Sequence, residues 1–329
     1  MDYPYSTFAA SRGYTYSYIH LTPRDSSKPY LLFLHGFPGS SYDWRHQVPY
    51  LAQRGYGIIV PDLLGYGRSS KPLDMNAYRA KGMSEDLVEL LASEGITQVI
   101  CVAHDWGSFL ASRMANYVPD LFRKIAFLDV GYSAPGQGLT TQVMGSVNAS
   151  MEKAMGYALF GYFLFFDEED AAALMDAHVD SVQSLMHSSD NELAKQHMGA
   201  TGGMRQWLNE GRVAEREEWL EPEAIQHDRW LFGRENGGYA TAINWYRAQL
   251  RGFNAEDDGA ISEASTILKP PVLLVTTDNF ISAAADMAGQ MKASAPQLEV
   301  RKLAAGHWVM LQRKAEVNAI LAEFVADIR

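Results

Sequence analysis

Along the chain, short apolar runs alternate with longer stretches whose apolar positions return every three or four residues. Residues 14–20 alternate apolar and polar positions, as a half-buried strand does, whereas 30–34 is continuously apolar, as a strand covered on both faces is. Further strand-like runs occupy 57–60, 99–103, 125–128, 272–276 and 298–303. Helix-compatible segments lie between them at 42–54, 77–94, 107–117, 283–293 and 314–328. Strand and helix in alternation predict an α/β fold with a mostly parallel sheet covered on both faces. The strand rhythm stops after about residue 135 and resumes near 270, and the stretch between is rich in Met, Ala, Glu and aromatic residues in helix-like patterning. Residues 133–138 (Ser-Ala-Pro-Gly-Gln-Gly) make a linker into this stretch and 252–265 a return. The pattern predicts a core formed by residues 1–135 and 255–329, interrupted by a helical domain at 136–254. An insert on the order of 110 residues is a typical domain size.

Composition changes this picture little and narrows the partners. The 329 residues are 47% apolar and 20% charged, an ordinary globular balance. Net charge is −11, from 28 basic and 39 acidic residues, with no block of like charge. Nucleic acids and anionic membrane surfaces both require clustered Lys and Arg, so neither is an expected partner. A single cysteine, Cys101, lies inside a strand run, excludes an internal disulfide and fits a reducing compartment. The N-terminal residues have no basic region followed by an apolar stretch, and no run nears the roughly 18 residues that span a bilayer. A cytoplasmic location is the resulting expectation. Asn148-Ala149-Ser150 forms a glycosylation sequon, read as chance without a secretory signal.

The candidate chemistry centres on Asp105. The run 99–103 stops at the small-x-Asp-x-small turn Ala103-His104-Asp105-Trp106-Gly107, and a helix-compatible segment follows at once. This is the layout of a nucleophile elbow, in which the reacting side chain sits on a strained strand-to-helix turn. A carboxylate stands where serine or cysteine is usual. Unlike a hydroxyl, it is already ionised at neutral pH, and its natural targets are saturated carbons bearing a leaving group, such as epoxides and alkyl halides. The competing reading is an N-cap aspartate.

Three further strand ends carry suitable groups. His35-Gly36-Phe37-Pro38-Gly39 follows 30–34, and a Gly-rich turn there can present backbone N–H groups to developing negative charge. Asp278 ends the run 272–276 and Gly306-His307-Trp308 follows the last strand, histidine being the side chain best suited to activate water near neutral pH. Nucleophile, acid, histidine is the chain order of α/β-hydrolases, and such sites lie beyond the carboxyl ends of the strands. Asp129, which ends 125–128, competes with Asp278 as the acid.

The segments His35-Gly36-Phe37-Pro38, Pro61-Asp62 with Gly65-Tyr66-Gly67-Arg68-Ser69, His104-Asp105-Trp106-Gly107 and Gly306-His307 carry a resemblance over nearly the whole chain. The chain resembles an α/β-hydrolase of the soluble epoxide hydrolase type. The stretch from Asp62 to Ser69 is widespread in that superfamily and lacks the third glycine of a dinucleotide fingerprint. The resemblance implies an α/β-hydrolase fold, a mostly parallel central sheet flanked by helices with an inserted all-helical cap (lid) domain. It implies hydrolysis of apolar epoxides to vicinal diols through an alkyl ester on Asp105, with His307 as general base and Asp278, or alternatively Asp129, orienting it.

Two cap tyrosines are implied as proton donors to the epoxide oxygen. Asn244-Trp245-Tyr246-Arg247 matches the family's second tyrosine motif, and the aromatic-acidic stretch 162–168 gives Tyr162 as the first, with Tyr157 the fallback. The N–H groups of Phe37 and Trp106 are the implied oxyanion hole, where one missing donor costs about 3 kcal/mol. Phe37, Trp106, Phe166 and Trp308 are the implied substrate contacts. Neither a metal nor an organic cofactor is implied; the partners are a small apolar epoxide and water.

One segment departs from the family: Thr276-Thr277-Asp278-Asn279-Phe280 stands where a pattern like Glu-Lys-Asp-Phe is usual. Two other functions stay open. A haloalkane dehalogenase shares the Asp nucleophile, but a departing halide needs no proton, and such enzymes usually carry Asn or Glu at the place of Phe37. Fluoroacetate-type dehalogenases generally carry Arg where Trp106 stands. A non-catalytic receptor of the same fold generally keeps a serine-based triad.

Overall fold

A computed structural model describes residues 3–136 and 138–326. Gln137 of the predicted linker, residues 327–328 of the predicted last helix, and the termini 1–2 and 329 lie outside the described residues.

Eight strands form one sheet: β1 (Tyr5–Ala9), β2 (Thr15–Leu21), β3 (Tyr30–Leu34), β4 (Gly57–Pro61), β5 (Val99–His104), β6 (Phe122–Leu128), β7 (Val272–Thr276) and β8 (Leu298–Lys302). Their spatial order is β1-β2-β4-β3-β5-β6-β7-β8. The pairs β1–β2 and β2–β4 are antiparallel and every later pair is parallel. The continuously apolar runs became the sheet's centre because their alternate residues feed two separate cores. Leu32, Leu34, Cys101, Ala103, Ile125 and Phe127 pack with the helices Ala80–Ser93 and Trp106–Tyr117. Leu31, Phe33, Ile100, Val102, Ala126 and Leu128 pack on the opposite face with Gln47–Ala52 and Lys314–Val325.

Three local readings are corrected. Strand β1 was not predicted: it is short and half-exposed and pairs antiparallel only with β2. The predicted helix 42–54 is a 3₁₀ turn, Ser41–Trp44, followed by Gln47–Ala52. The predicted helix 283–293 is two pieces, Phe280–Ala285 and Met287–Met291, broken where Asp286 takes a left-handed backbone (φ 40°).

Between β6 and β7 the described chain is helical from Thr141–Met155 to Asn244–Leu250, with no strand among the described residues. Asn148 of the sequon is buried mid-helix and accepts the Phe160 N–H at 2.8 Å, an arrangement that serves packing. This helical region is fastened to the loop after β4. Trp245 Nε1 donates to Leu64 O at 2.8 Å, Thr241 Oγ1 to Gly65 O at 3.0 Å and Tyr66 Oη to Ala242 O at 3.2 Å. Among the described residues no helix is long and apolar enough to cross a membrane.

Candidate active site

Asp105 follows the last residue of β5 with φ 52° and ψ −123°, a conformation that costs an L-residue of the order of 1–3 kcal/mol. It occupies the N-cap position of Trp106–Tyr117, yet its side chain makes no N-cap hydrogen bond to the helix's second or third N–H. The turn is instead closed from both sides by glycines. A Cβ at Gly36 would lie 2.3 Å from Asp105 Oδ1, and one at Gly107 would lie 2.1 Å from Leu34 O. The close approach lets Phe37 N–H donate to Asp105 Oδ1 at 2.8 Å, and Trp106 N–H also bonds the carboxylate. Burial raises the pKa of Asp105, while His307 and these two N–H groups act in the opposite direction. The carboxylate is presented to the site with one oxygen held and the other free.

The free oxygen, Oδ2, lies 3.7 Å from His307 Nε2. On the far side of the ring, His307 Nδ1 donates to Asp129 Oδ2 at 2.6 Å. Asp129 sits just past β6 in a left-handed conformation (φ 64°), fully buried, and accepts from Asn279 Nδ2 and Ser282 Oγ at 2.6 Å each and from Thr277 Oγ1. These donors fix the carboxylate, and it in turn fixes the imidazole tautomer with Nε2 toward Asp105. Burial alone lowers the pKa of His307; the bond to Asp129 and the charges of Asp129 and Asp105 outweigh it, and the net shift is upward. His104 stabilises the loop from below by donating from Nε2 to His307 O at 2.9 Å, and burial keeps its own ring neutral.

The preference for Asp278 over Asp129 is corrected by this geometry. Past β7 the chain stays extended, so neighbouring side chains face opposite ways. Thr277 and Asn279 turn inward to Asp129, while Asp278 turns outward, half-exposed, to pair with Lys302 Nζ at 2.7 Å. The inward pair Thr277 and Asn279, together with Ser282, are the site residues that the sequence reading missed. Their only signal was the two-residue spacing across Asp278.

Tyr162 and Tyr246 face each other with ring centroids 5.9 Å apart, and both border the cavity that contains Asp105 and His307. Arg247 joins their helices: its Nε donates to Phe166 O at 2.9 Å and its NH2 group to Glu168 O at 2.8 Å, satisfying carbonyls at the end of Gly161–Asp167. Burial first, then the charge of Asp105, raises both phenol pKa values well above the usual 10, so each phenol keeps its proton. Tyr157 is not at the cavity; its ring lies under the Lys195 ammonium.

Of the expected substrate contacts, only Trp106 lines the cavity. Phe37 directs its N–H, not its ring, at the Asp105 carboxylate, and Phe166 packs edge-on behind Phe37 and Tyr246. Trp308 is turned away, stacked on His187 at 4.6 Å with its indole N–H on Met186 O.

The family model described as alpha/beta hydrolase fold matches residues 29–314. Epoxide hydrolase A of Mycobacterium tuberculosis is 31% identical over 310 residues, covering 91% of each chain. Bifunctional epoxide hydrolase 2 of Sus scrofa is 28% identical over 91% of this chain, which spans about half (52%) of that longer protein. Among solved structures, epoxide hydrolase A from Mycobacterium thermoresistibile superposes with a TM-score of 0.79 at 25% identity, covering 99% of both chains.

Proposed function

Because the chain belongs to the α/β-hydrolase fold family, and within it to the epoxide hydrolases, we propose that it converts apolar epoxides to vicinal diols through a covalent ester on Asp105. The observation that carries this reading is a carboxylate at the elbow, facing a histidine–carboxylate pair, with two protonated phenols on the same cavity. Asp105 Oδ2 attacks one epoxide carbon. The carbon–oxygen bond breaks, and the departing oxygen takes a proton from Tyr162 or Tyr246, since an alkoxide is too basic to leave unassisted at neutral pH. His307 then removes a proton from water, which adds to the ester carbonyl. The developing oxyanion rests on the N–H groups of Phe37 and Trp106, already aimed at the Asp105 carboxylate. Collapse expels the diol's second oxygen, which takes the proton held by His307, and the proton left on the Asp105 carboxyl returns to the tyrosinate, so that the diol leaves and Asp105, His307 and the phenol are restored. Asp129 orients His307 in this scheme, and residues 136–254 act as the cap that carries both phenols.

The division of labour is tested by His307→Gln. This variant is expected to alkylate and stall, so that peptide mass spectrometry after brief exposure to styrene oxide finds the added mass on Asp105. A variant that forms diol without an adduct would remove the two-step scheme.

The phenols are tested separately. Tyr246→Phe is expected to slow single-turnover alkylation about 100-fold while leaving hydrolysis of the ester nearly unchanged, because only the first step expels an alkoxide. An unaltered alkylation rate would sink the assignment of Tyr246.

A further inference from the structure

The space around Asp105 is lopsided. On the side of Trp106 and His307 the carboxylate opens into a cavity of about 490 Å³. Its walls come from the helix Thr141–Met155 through Met144, Val147 and Met151, and from the segment after β7 through Ile281 and Met287. Trp106, Phe109, Tyr162 and Phe163, which line it on this side, are each 6–8% exposed. On the other side, where Phe37 N–H holds Oδ1, stand the rings of Phe37, Phe166, Phe232 and Tyr239, exposed by only 0–1%. Those rings fill the space between them. Phe232 stacks on Tyr239 with centroids 4.4 Å apart and an interplanar angle of 3°, and Phe37 meets Phe166 edge-on at 5.2 Å. A gap large enough for a water would give these side chains accessible surface, and they have essentially none. Tyr246, 1% exposed, stands at the boundary between the two sides.

Charge is equally one-sided. The described residues lining the cavity include no Lys or Arg, and its ionisable carboxyl groups are those of Asp105 and Asp129. His307 is already held between those two carboxylates, so a carboxylate on the substrate would be desolvated with no Lys or Arg to pair it and beside like charge.

Resting on the epoxide hydrolase reading, we infer that the substrates are epoxides with a single, neutral apolar arm: terminal epoxides whose one bulky substituent lies along the Met144–Met287 side. An epoxide bulky at both carbons would have to drive its second arm into close-packed rings, which forces strain that a fixed core does not relieve.

The test compares kcat/KM for three probes on the native chain: styrene oxide, trans-stilbene oxide and 4-carboxystyrene oxide. The disubstituted and the anionic probes are each expected to fall about 100-fold or more below styrene oxide. Phe232→Ala should raise turnover of trans-stilbene oxide at least tenfold and leave styrene oxide within threefold; if that variant does not fold, Phe232→Val tests the same seal. Trans-stilbene oxide within threefold of styrene oxide on the native chain would overturn the single arm, and 4-carboxystyrene oxide within threefold would overturn its neutrality. Absence of turnover on all three probes, with no adduct on Asp105, would instead overturn the function on which the inference rests.

Discussion

Asp105→Ala is expected to lower diol formation about 100,000-fold, the scale of loss seen when the nucleophile of a catalytic unit that acts as one is removed. No other group can take over. The cavity's other carboxylate, Asp129, has its oxygens engaged by His307, Asn279, Ser282 and Thr277, and so presents no free oxygen to an epoxide carbon. The loss should appear in single-turnover kinetics as well as at steady state, because the bond-forming step itself is gone. Circular dichroism and thermal melting should show a folded protein, since the substitution removes a buried charge and leaves the glycines that close the turn in place. Diol formation within tenfold of the native rate would end the covalent mechanism.

The second large effect separates two aspartates that the sequence could not. Asp129→Asn should slow ester hydrolysis about 1,000-fold to 10,000-fold, as expected when the carboxylate that sets an imidazole's tautomer becomes an amide. The amide also presents an N–H₂ to a pocket already furnished with donors from Asn279, Thr277 and Ser282. Asp278→Asn should leave both steps within twofold. It loses only an exposed ion pair with Lys302, worth about 0–1 kcal/mol. Pre-steady-state rates for the two variants, measured side by side, decide the matter, and a large defect in the Asp278 variant would reverse the assignment of the acid.

That contrast marks what the sequence held and what it withheld. Continuous apolar runs such as 30–34 and 99–103 are legible because a strand buried on both faces has no polar position to disguise it. The elbow is legible for the same reason: an apolar strand, a small-x-Asp-x-small turn and a helix are local facts. Strand β1 is short and half-exposed, so its five residues carry too little pattern. The break at Asp286 depends on one residue's backbone torsion, which composition does not reveal. The acid was ambiguous because Asp129 and Asp278 both follow parallel strands, and only the parity of the turn after β7 decides which neighbour points inward. The aromatic residues were harder still. Phe166 and Trp308 were expected against substrate, but a large apolar ring suits a cavity wall and a packed core equally well, and here both rings joined the core.

In the resting site the Asp105 carboxylate, 3.7 Å from His307 Nε2, helps to keep a proton on the imidazole. In the proposed scheme, esterification erases that negative charge while Asp129 retains its own. The ring then gives up its proton more readily than it does in the resting site. In that scheme covalent capture favours hydrolysis: formation of the ester makes His307 a readier base at the moment there is something for that base to help cleave.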